Sequence, residues 1–237
     1  MSKSPRKPLK WIGSAKRDLD AMPEDVKDVF GHAIDLAQAG GKHQDAKAMS
    51  GCGSAGVLEV VEDFRSDTYR AVYTVKFAGW IYVLHCFQKK SKSGIKTPKE
   101  DMAGADQRAA ESRKAGLRGM ASTARSAMMS QHSDVTIEEG STNVYADLGY
   151  ADAAEMQRKS QLAGEIARAI KARRLTQDGA AVLLGIDQSK MSRITRGQFR
   201  GVSEAKLLEL VAKLGHDVKI VVGPVRRRAG KIELQFA

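Results

Sequence analysis

The chain has 237 residues, 42% of them hydrophobic, and 39 Lys+Arg against 28 Asp+Glu give it a net charge of +11. That length predicts two domains with true apolar cores, and the charge predicts an acidic partner, nucleic acid first among them. Cys52 and Cys86 supply neither a disulfide framework nor a metal-ligand spacing. No run approaches the ~20 apolar residues needed to span a bilayer, and no apolar stretch follows the basic N-terminus as it would in a signal peptide. The expectation is a cytoplasmic protein without metal or cofactor.

The charge is spread along the chain. Residues 1–119 hold 21 Lys+Arg and 15 Asp+Glu, and the remainder holds 18 and 13. Each half can therefore have its own anionic partner.

In chain order, Pro8–Ile12 predicts a short strand and Ala15–Ala39 a helix, interrupted at Met22-Pro23 and ended by Gly40-Gly41. Val26, Val29, Phe30, Ala33, Ile34 and Ala37 form one apolar stripe at helical spacing. Glycines 51, 53 and 56 mark a loop, and strands are expected at Val57–Glu62, Tyr69–Phe77 and Trp80–Gln88. With Ala78-Gly79 as a hairpin tip, Val75 faces Tyr82 and Val72 faces His85. Alternation then puts Tyr69, Ala71, Tyr73, Val75 and Phe77 with Trp80, Tyr82, Leu84 and Cys86 on a face packed against helices. Arg70, Val72, Thr74 and Lys76 share the other face with His85, Phe87 and Lys89.

On that second face Arg70 lies opposite Phe87 and diagonal to His85 and Lys89. This suits metal-independent RNA cleavage, in which a ribose 2′-hydroxyl attacks the neighbouring phosphate. Arg70 can donate a bidentate pair of hydrogen bonds to the phosphoryl oxygens, and Lys89, Lys90 and Lys92 can hold phosphates. Phe87 can stack on a base. His85 is the side chain suited to proton transfer near neutral pH, although taken alone it reads more readily as structural.

Pro98–Lys114 reads as a polar helix, and residues 116–143, rich in Ser, Ala, Gly and Thr, as a linker. Helices follow at Glu155–Arg173, Gln177–Leu184, Gln188–Arg196 and Ser203–Leu214, then strands at Asp217–Val222 and Lys231–Phe236 around Pro224 and three arginines. QDGAAVLLGIDQSKMSRITR has the spacing of a helix-turn-helix, with Ala181 at the crossing, Gly185 in the turn and Met191 and Ile194 as anchors. Val182, Leu184 and Ile186 are expected to fill the remaining apolar positions. The second helix then exposes Gln188, Ser189, Lys190, Ser192, Arg193 and Arg196 toward DNA.

Two resemblances follow from these residues. VYADLGYADAAEM, RLTQDGAAVLLGI and LLELVAKLGHDVKIVV resemble the XRE-type DNA-binding domain of HigA-like antitoxins over Asn143–Val222. That resemblance implies a homodimer, formed through this domain, on a palindromic operator that it autorepresses. The run from KHQDAKAMSG through TYRAVYTVKFAGWIYVLHCFQKKSKSGIKTP resembles the HigB branch of the RelE toxin superfamily, near the phage Gp49-like proteins, over Pro8 to about Arg113. It implies an antiparallel sheet with helices on one face and cleavage of mRNA on the ribosome. The family arginine falls on Arg70 of YRAVY and the basic cluster on Gln88-Lys89-Lys90. VLEVVED departs from the pattern, with Glu59, Glu62 and Asp63 where relatives often carry lysines, and IKTPKED stands where they have a functional tyrosine. Arg65 and Lys47 are the candidate substitutes in RNA binding.

The expected class is α+β: a RelE-like domain over 1–115, a linker over 116–143, and a helix-turn-helix domain with terminal strands over 144–237. The expected function is a toxin–antitoxin module in one chain, with fusion holding the inhibitor at an effective concentration of order millimolar. The alternative is a transcriptional regulator whose N-terminal domain is catalytically inactive.

Overall fold

The computed structural model describes residues 5–49, 56–75, 79–89 and 136–236. The expected helix over 98–114, most of the linker, Ala78, Lys90 and Lys92 lie outside them. Strand β1 (Leu9–Ile12) leads into helices α1 (Ala15–Asp20) and α2 (Glu24–Gln38), then β2 (Lys47–Ala48), β3 (Val57–Phe64), β4 (Asp67–Thr74) and β5 (Ile81–Lys89). After the undescribed segment come β6 (Ile137–Glu139), α3 (Val144–Asp147), α4 (Ala153–Ala172), α5 (Gln177–Leu184), α6 (Gln188–Arg196) and α7 (Glu204–Lys213). The fold is α+β, with a sheet and its helices followed by a helical region.

Pro23 separates α1 from α2, since proline lacks an N–H and restricts the residue before it. The six apolar residues of the expected stripe on α2 are all buried. The sheet runs β2-β3-β4-β5-β1-β6. Because β1 lies parallel to β5, the sheet is mixed rather than antiparallel throughout. Strand β6 falls within the segment expected as linker and pairs antiparallel with β1, Trp11 opposite Glu138.

The two parts share one apolar core. Leu9, Trp11, Phe30 and Ile34 of the sheet region join Tyr145, Ile166, Leu184, Phe199 and Leu210 of the helical region. Each such side chain contributes roughly 1.5–3 kcal/mol on full burial. Trp11 Nε1 also donates to Asp147 Oδ2 at 3.3 Å, tying β1 to α3.

The expected terminal strands do not form. Residues 217–236 have no regular structure, and Ile220 and Val222 are 77% and 91% exposed. An apolar alternation becomes a strand only when a neighbour takes up its N–H and C=O groups, and no described strand lies beside this segment.

Candidate nucleic-acid interfaces

The strand register builds the first candidate site. One row across β3, β4 and β5 is Val61, Arg70, Phe87; the next is Glu59, Val72, His85; and Asp63, Thr68, Lys89 lies at the outer end. Lys47 of β2 extends the Glu59 row. Alternation therefore places Arg70, His85, Phe87, Lys89 and Lys47 on one face together with Glu59. The His85 and Phe87 rings stack with centroids 4.7 Å apart. Arg65 sits at the tip of the β3–β4 hairpin, where it and Ser66 both have positive φ, and its guanidinium lies 5.1 Å from the Phe64 ring centre.

Two features of this face differ from the expectation. The Arg70 side chain is buried, and its Nη1 donates to Glu59 Oε1 at 2.5 Å. The face also carries a second apolar cluster of Ile12, Val57, Val72, Tyr82 and Leu84, so it is part of a core. A β-bulge explains this. Val72 faces His85 as expected, but Tyr73 faces Val83, so β5 carries one extra residue. Tyr82 and Leu84 are thereby moved to the Arg70 face, while Cys86, Val83 and Ile81 join the main core under the helices. The expected Val75–Tyr82 pair is not made.

The second site is the helix-turn-helix. Thr176 Oγ1 accepts the Gly179 N–H at 3.0 Å and starts α5, and Gly185, at φ +66°, turns the chain into α6. Ala181, Leu184, Met191 and Ile194 are buried. Ile186 is half-buried and Val182 is 84% exposed. Val182 thus does not fill the core: Ala181 and Leu184 hold the inner stripe of α5, and the helical rotation turns Val182 away from it. On α6, Gln188, Ser189, Lys190 and Arg193 are exposed and Ser192 is half-buried. Gln188 Nε2 donates to Gln177 Oε1 at 2.9 Å, so the first residues of the two helices hold each other.

Arg196, expected on the same face, is held by carboxylates of the N-terminal domain. It forms an ion pair with Glu62 of β3, and its Nε lies 3.5 Å from Asp45 Oδ2. Burial raises the Glu62 pKa and Arg196 opposes the rise. Nearby, Arg200 grips Asp28 of α2 through Nε at 3.1 Å and Nη2 at 2.9 Å, and the Tyr150 hydroxyl donates to Asp28 at 3.0 Å. Burial raises the Asp28 pKa, again against its arginine. Ser160 of α4 donates to Asp35 Oδ2 at 2.7 Å, and Arg6 pairs with the same carboxylate.

The helical region thus docks across α2, whose other side rests on β3 and β4. The main core on that side includes Tyr69, Ala71 and Tyr73, so the docking lies on the side of the sheet opposite Arg70. Sequence reasoning missed this interface, though α2 carried a signal. Asp28, His32 and Asp35 form a polar stripe at i, i+4 and i+7 on a helix that is otherwise apolar toward the sheet, and all three are buried.

Among the described residues, no cluster of His, Cys, Asp and Glu is placed to hold a metal ion, and no helix is long and apolar enough to cross a membrane.

Comparison with known proteins agrees with this division. Residues 17–110 match the family described as phage derived protein Gp49-like, and residues 144–223 match a helix-turn-helix domain family. A solved chain named as an XRE family transcriptional regulator is 36% identical over 36% of this chain and 99% of its own, with a TM-score of 0.34. No curated protein matches the chain. The chain therefore carries an N-terminal region that matches the Gp49-like family and a C-terminal XRE-type helix-turn-helix domain.

Proposed function

We propose that this chain is a toxin–antitoxin module in one polypeptide: a DNA-binding repressor of its own operon that carries an mRNA-cleaving domain in a restrained state. The observation that carries the reading is the docked recognition helix. Gln188, Ser189, Lys190 and Arg193 stay exposed while Arg196, at the end of the same helix, is tied to Glu62. DNA can be read with the toxin-family domain in place. Gln188 and Arg193 suit base edges and Lys190 suits a phosphate. A homodimer on a palindromic operator follows from the way such helices read half-sites.

On the RNA side, the 2′-oxygen of a ribose attacks the adjacent phosphorus and the 5′-oxygen leaves, giving a 2′,3′-cyclic phosphate and a 5′-hydroxyl. Arg70 stabilises the phosphoryl oxygens, His85 transfers the proton, and Lys89 with Lys90 and Lys92 holds the backbone of mRNA on the ribosome. Because the docked helices lie away from Arg70, their restraint acts through added bulk that the ribosomal site would have to admit.

A gel-shift titration of the full chain on the DNA upstream of its own coding sequence tests the repressor role, with a reporter assay for repression. Specific binding to a palindrome is expected, and equal affinity for unrelated DNA would overturn the reading. A second reading is a regulator whose N-terminal domain does not cleave RNA, and one observation favours it: Arg70 is buried against Glu59, which takes the place a phosphate oxygen would need.

A further inference from the structure

Two histidines meet at the seam between the two domains. His32 on α2 and His43, in the loop before β2, are both buried, with ring centroids 5.6 Å apart and planes nearly perpendicular. The second edge of His32 meets the Phe199 ring at 5.4 Å, and Gly197 packs directly on its Cβ. Both histidines belong to the N-terminal domain; the segment that follows α6 covers His32, and the carbonyl of Arg196, the last residue of α6, meets His43.

Their hydrogen bonds assign the proton-bearing nitrogen of each neutral ring. Ser160 Oγ gives its proton to Asp35, so at 2.8 Å from His32 Nδ1 it can only accept, and Nδ1 carries the ring proton. In the neutral ring His32 Nε2 is then a bare lone pair, buried without a hydrogen-bond partner among the described residues. His43 Nδ1 accepts the Asp45 N–H at 3.2 Å, and its Nε2 donates to the Arg196 carbonyl at 3.2 Å. A proton on His32 Nε2 would place an unmatched charge in the seam. A proton on His43 Nδ1 would set two donors against each other.

We propose that His32 and His43 form an acid-sensitive latch between the two domains, closed while both imidazoles are neutral and released when they take up protons. The groups facing them bear on this in both directions. Burial lowers the pKa of His32 well below the ordinary value, and His43 lowers it further. Burial also lowers that of His43; Asp45, 4.0 Å from Nδ1, and the bond to Arg196 oppose the shift, and the Arg196 charge adds to it. Asp28, Asp35 and Glu62, on α2 and β3, have pKa values raised by burial, and Arg200, Arg6 and Arg196 oppose that rise. Tyr145 on α3 is raised and stays neutral.

The sign follows. A histidine depressed in the docked state gains protons on undocking, so docking is strongest above the free-histidine value and weakens as pH falls below it. The buried carboxylates have the opposite slope, because the docked state binds their protons more readily. Substituting the histidines alone separates the two contributions.

The test is amide hydrogen exchange of the full chain at pH 7.5 and 5.5, corrected for the intrinsic pH dependence, read over Gly197–Val202 with β4 amides as control. For free histidines titrating near ~6.5, each should lower protection of the seam by up to about 10-fold over this range, and the pair by up to about 100-fold. His43→Gln, whose side-chain amide can still donate to the Arg196 carbonyl, should leave about 10-fold. His32→Asn with His43→Gln should abolish the loss. Unchanged wild-type protection at the seam, a loss shared equally by β4, or an undiminished loss in the double variant would overturn the latch. Should the double variant not fold, the imidazole titrations of the wild-type chain decide: midpoints below ~6.5 for both rings support it, and a midpoint at or above that value for both refutes it.

Discussion

Arg196, the last residue of the recognition helix, forms an ion pair with Glu62 of strand β3. Glu62 is 4% exposed, so its carboxylate depends on that partner. Arg196→Ala leaves a buried unpaired charge and should cost about 2 kcal/mol in urea denaturation at pH 7. In the variant burial and the neighbouring Asp45 and Asp63 carboxylates act on Glu62 unopposed by Arg196, and its pKa climbs further. The deficit should therefore shrink as pH is lowered through that raised value and the carboxyl becomes neutral. A deficit independent of pH would show that the ion pair does not support docking.

Arg193 and Lys190 are the exposed cations of the same helix. Arg193→Ala should weaken operator binding by about 1–3 kcal/mol and relax sequence preference at one position. Lys190→Ala should weaken all sequences alike and reduce the salt slope by about 1. Arg196→Ala should cost less DNA affinity than Arg193→Ala, since its guanidinium is already held by Glu62 and Asp45. Salt-dependent gel-shift titrations distinguish the three.

Gly197 ends α6 at φ +106°, and a Cβ there would sit 2.6 Å from His32 Cβ and 3.0 Å from the Asp28 carbonyl oxygen. Both the backbone angle and the contact exclude a side chain. Gly197→Ala should destabilise the chain by roughly 2–4 kcal/mol, chiefly by forcing the seam apart, as read by chemical denaturation. Gly185→Ala meets only the Lys213 ammonium at 3.9 Å and should cost less, through its φ of +66° alone.

A toxin-domain fragment must keep β6, because Trp11 and Ile12 pair with Glu138 and Ile137. Residues 1–142, expressed as a folded protein, should arrest growth and cleave translated mRNA, and Arg70→Ala should reduce cleavage at least about 100-fold, in line with loss of a donor to developing charge. A well-folded fragment that leaves growth and mRNA untouched would establish the regulator reading. Glu59→Gln in that fragment is informative too: if the carboxylate only competes with phosphate for Arg70, cleavage should rise.

Much of the fold was legible in the sequence because local rules dominate it. Helices α5 and α6 have the residue limits the motif predicted, since Thr176, Gly185 and the Ala181, Leu184, Met191, Ile194 stripe leave little else possible. The break at Pro23 and the buried stripe of α2 follow from equally local causes. The Arg70–Phe87 and Val72–His85 pairs came from counting back from Ala78-Gly79 as a hairpin tip, and alternation sorted them into faces. That alternation failed one step later, at the bulge near Leu84, because an extra residue in a strand leaves no mark in hydrophobic pattern.

What the sequence by itself determined are the elements set by neighbours along the chain: helix limits, turns, the apolar stripe of α2 and the exposed cations of α6. What only the tertiary structure decided are relations between distant segments. Glu59 comes to pair with Arg70, Glu62 pairs with Arg196, β6 adds to the sheet beside β1, and the seam is formed by Gly197 and Phe199 on His32 and the Arg196 carbonyl on His43. Charge and burial at those positions depend on what packs against them from far along the chain, and spacing within one segment carries no record of that.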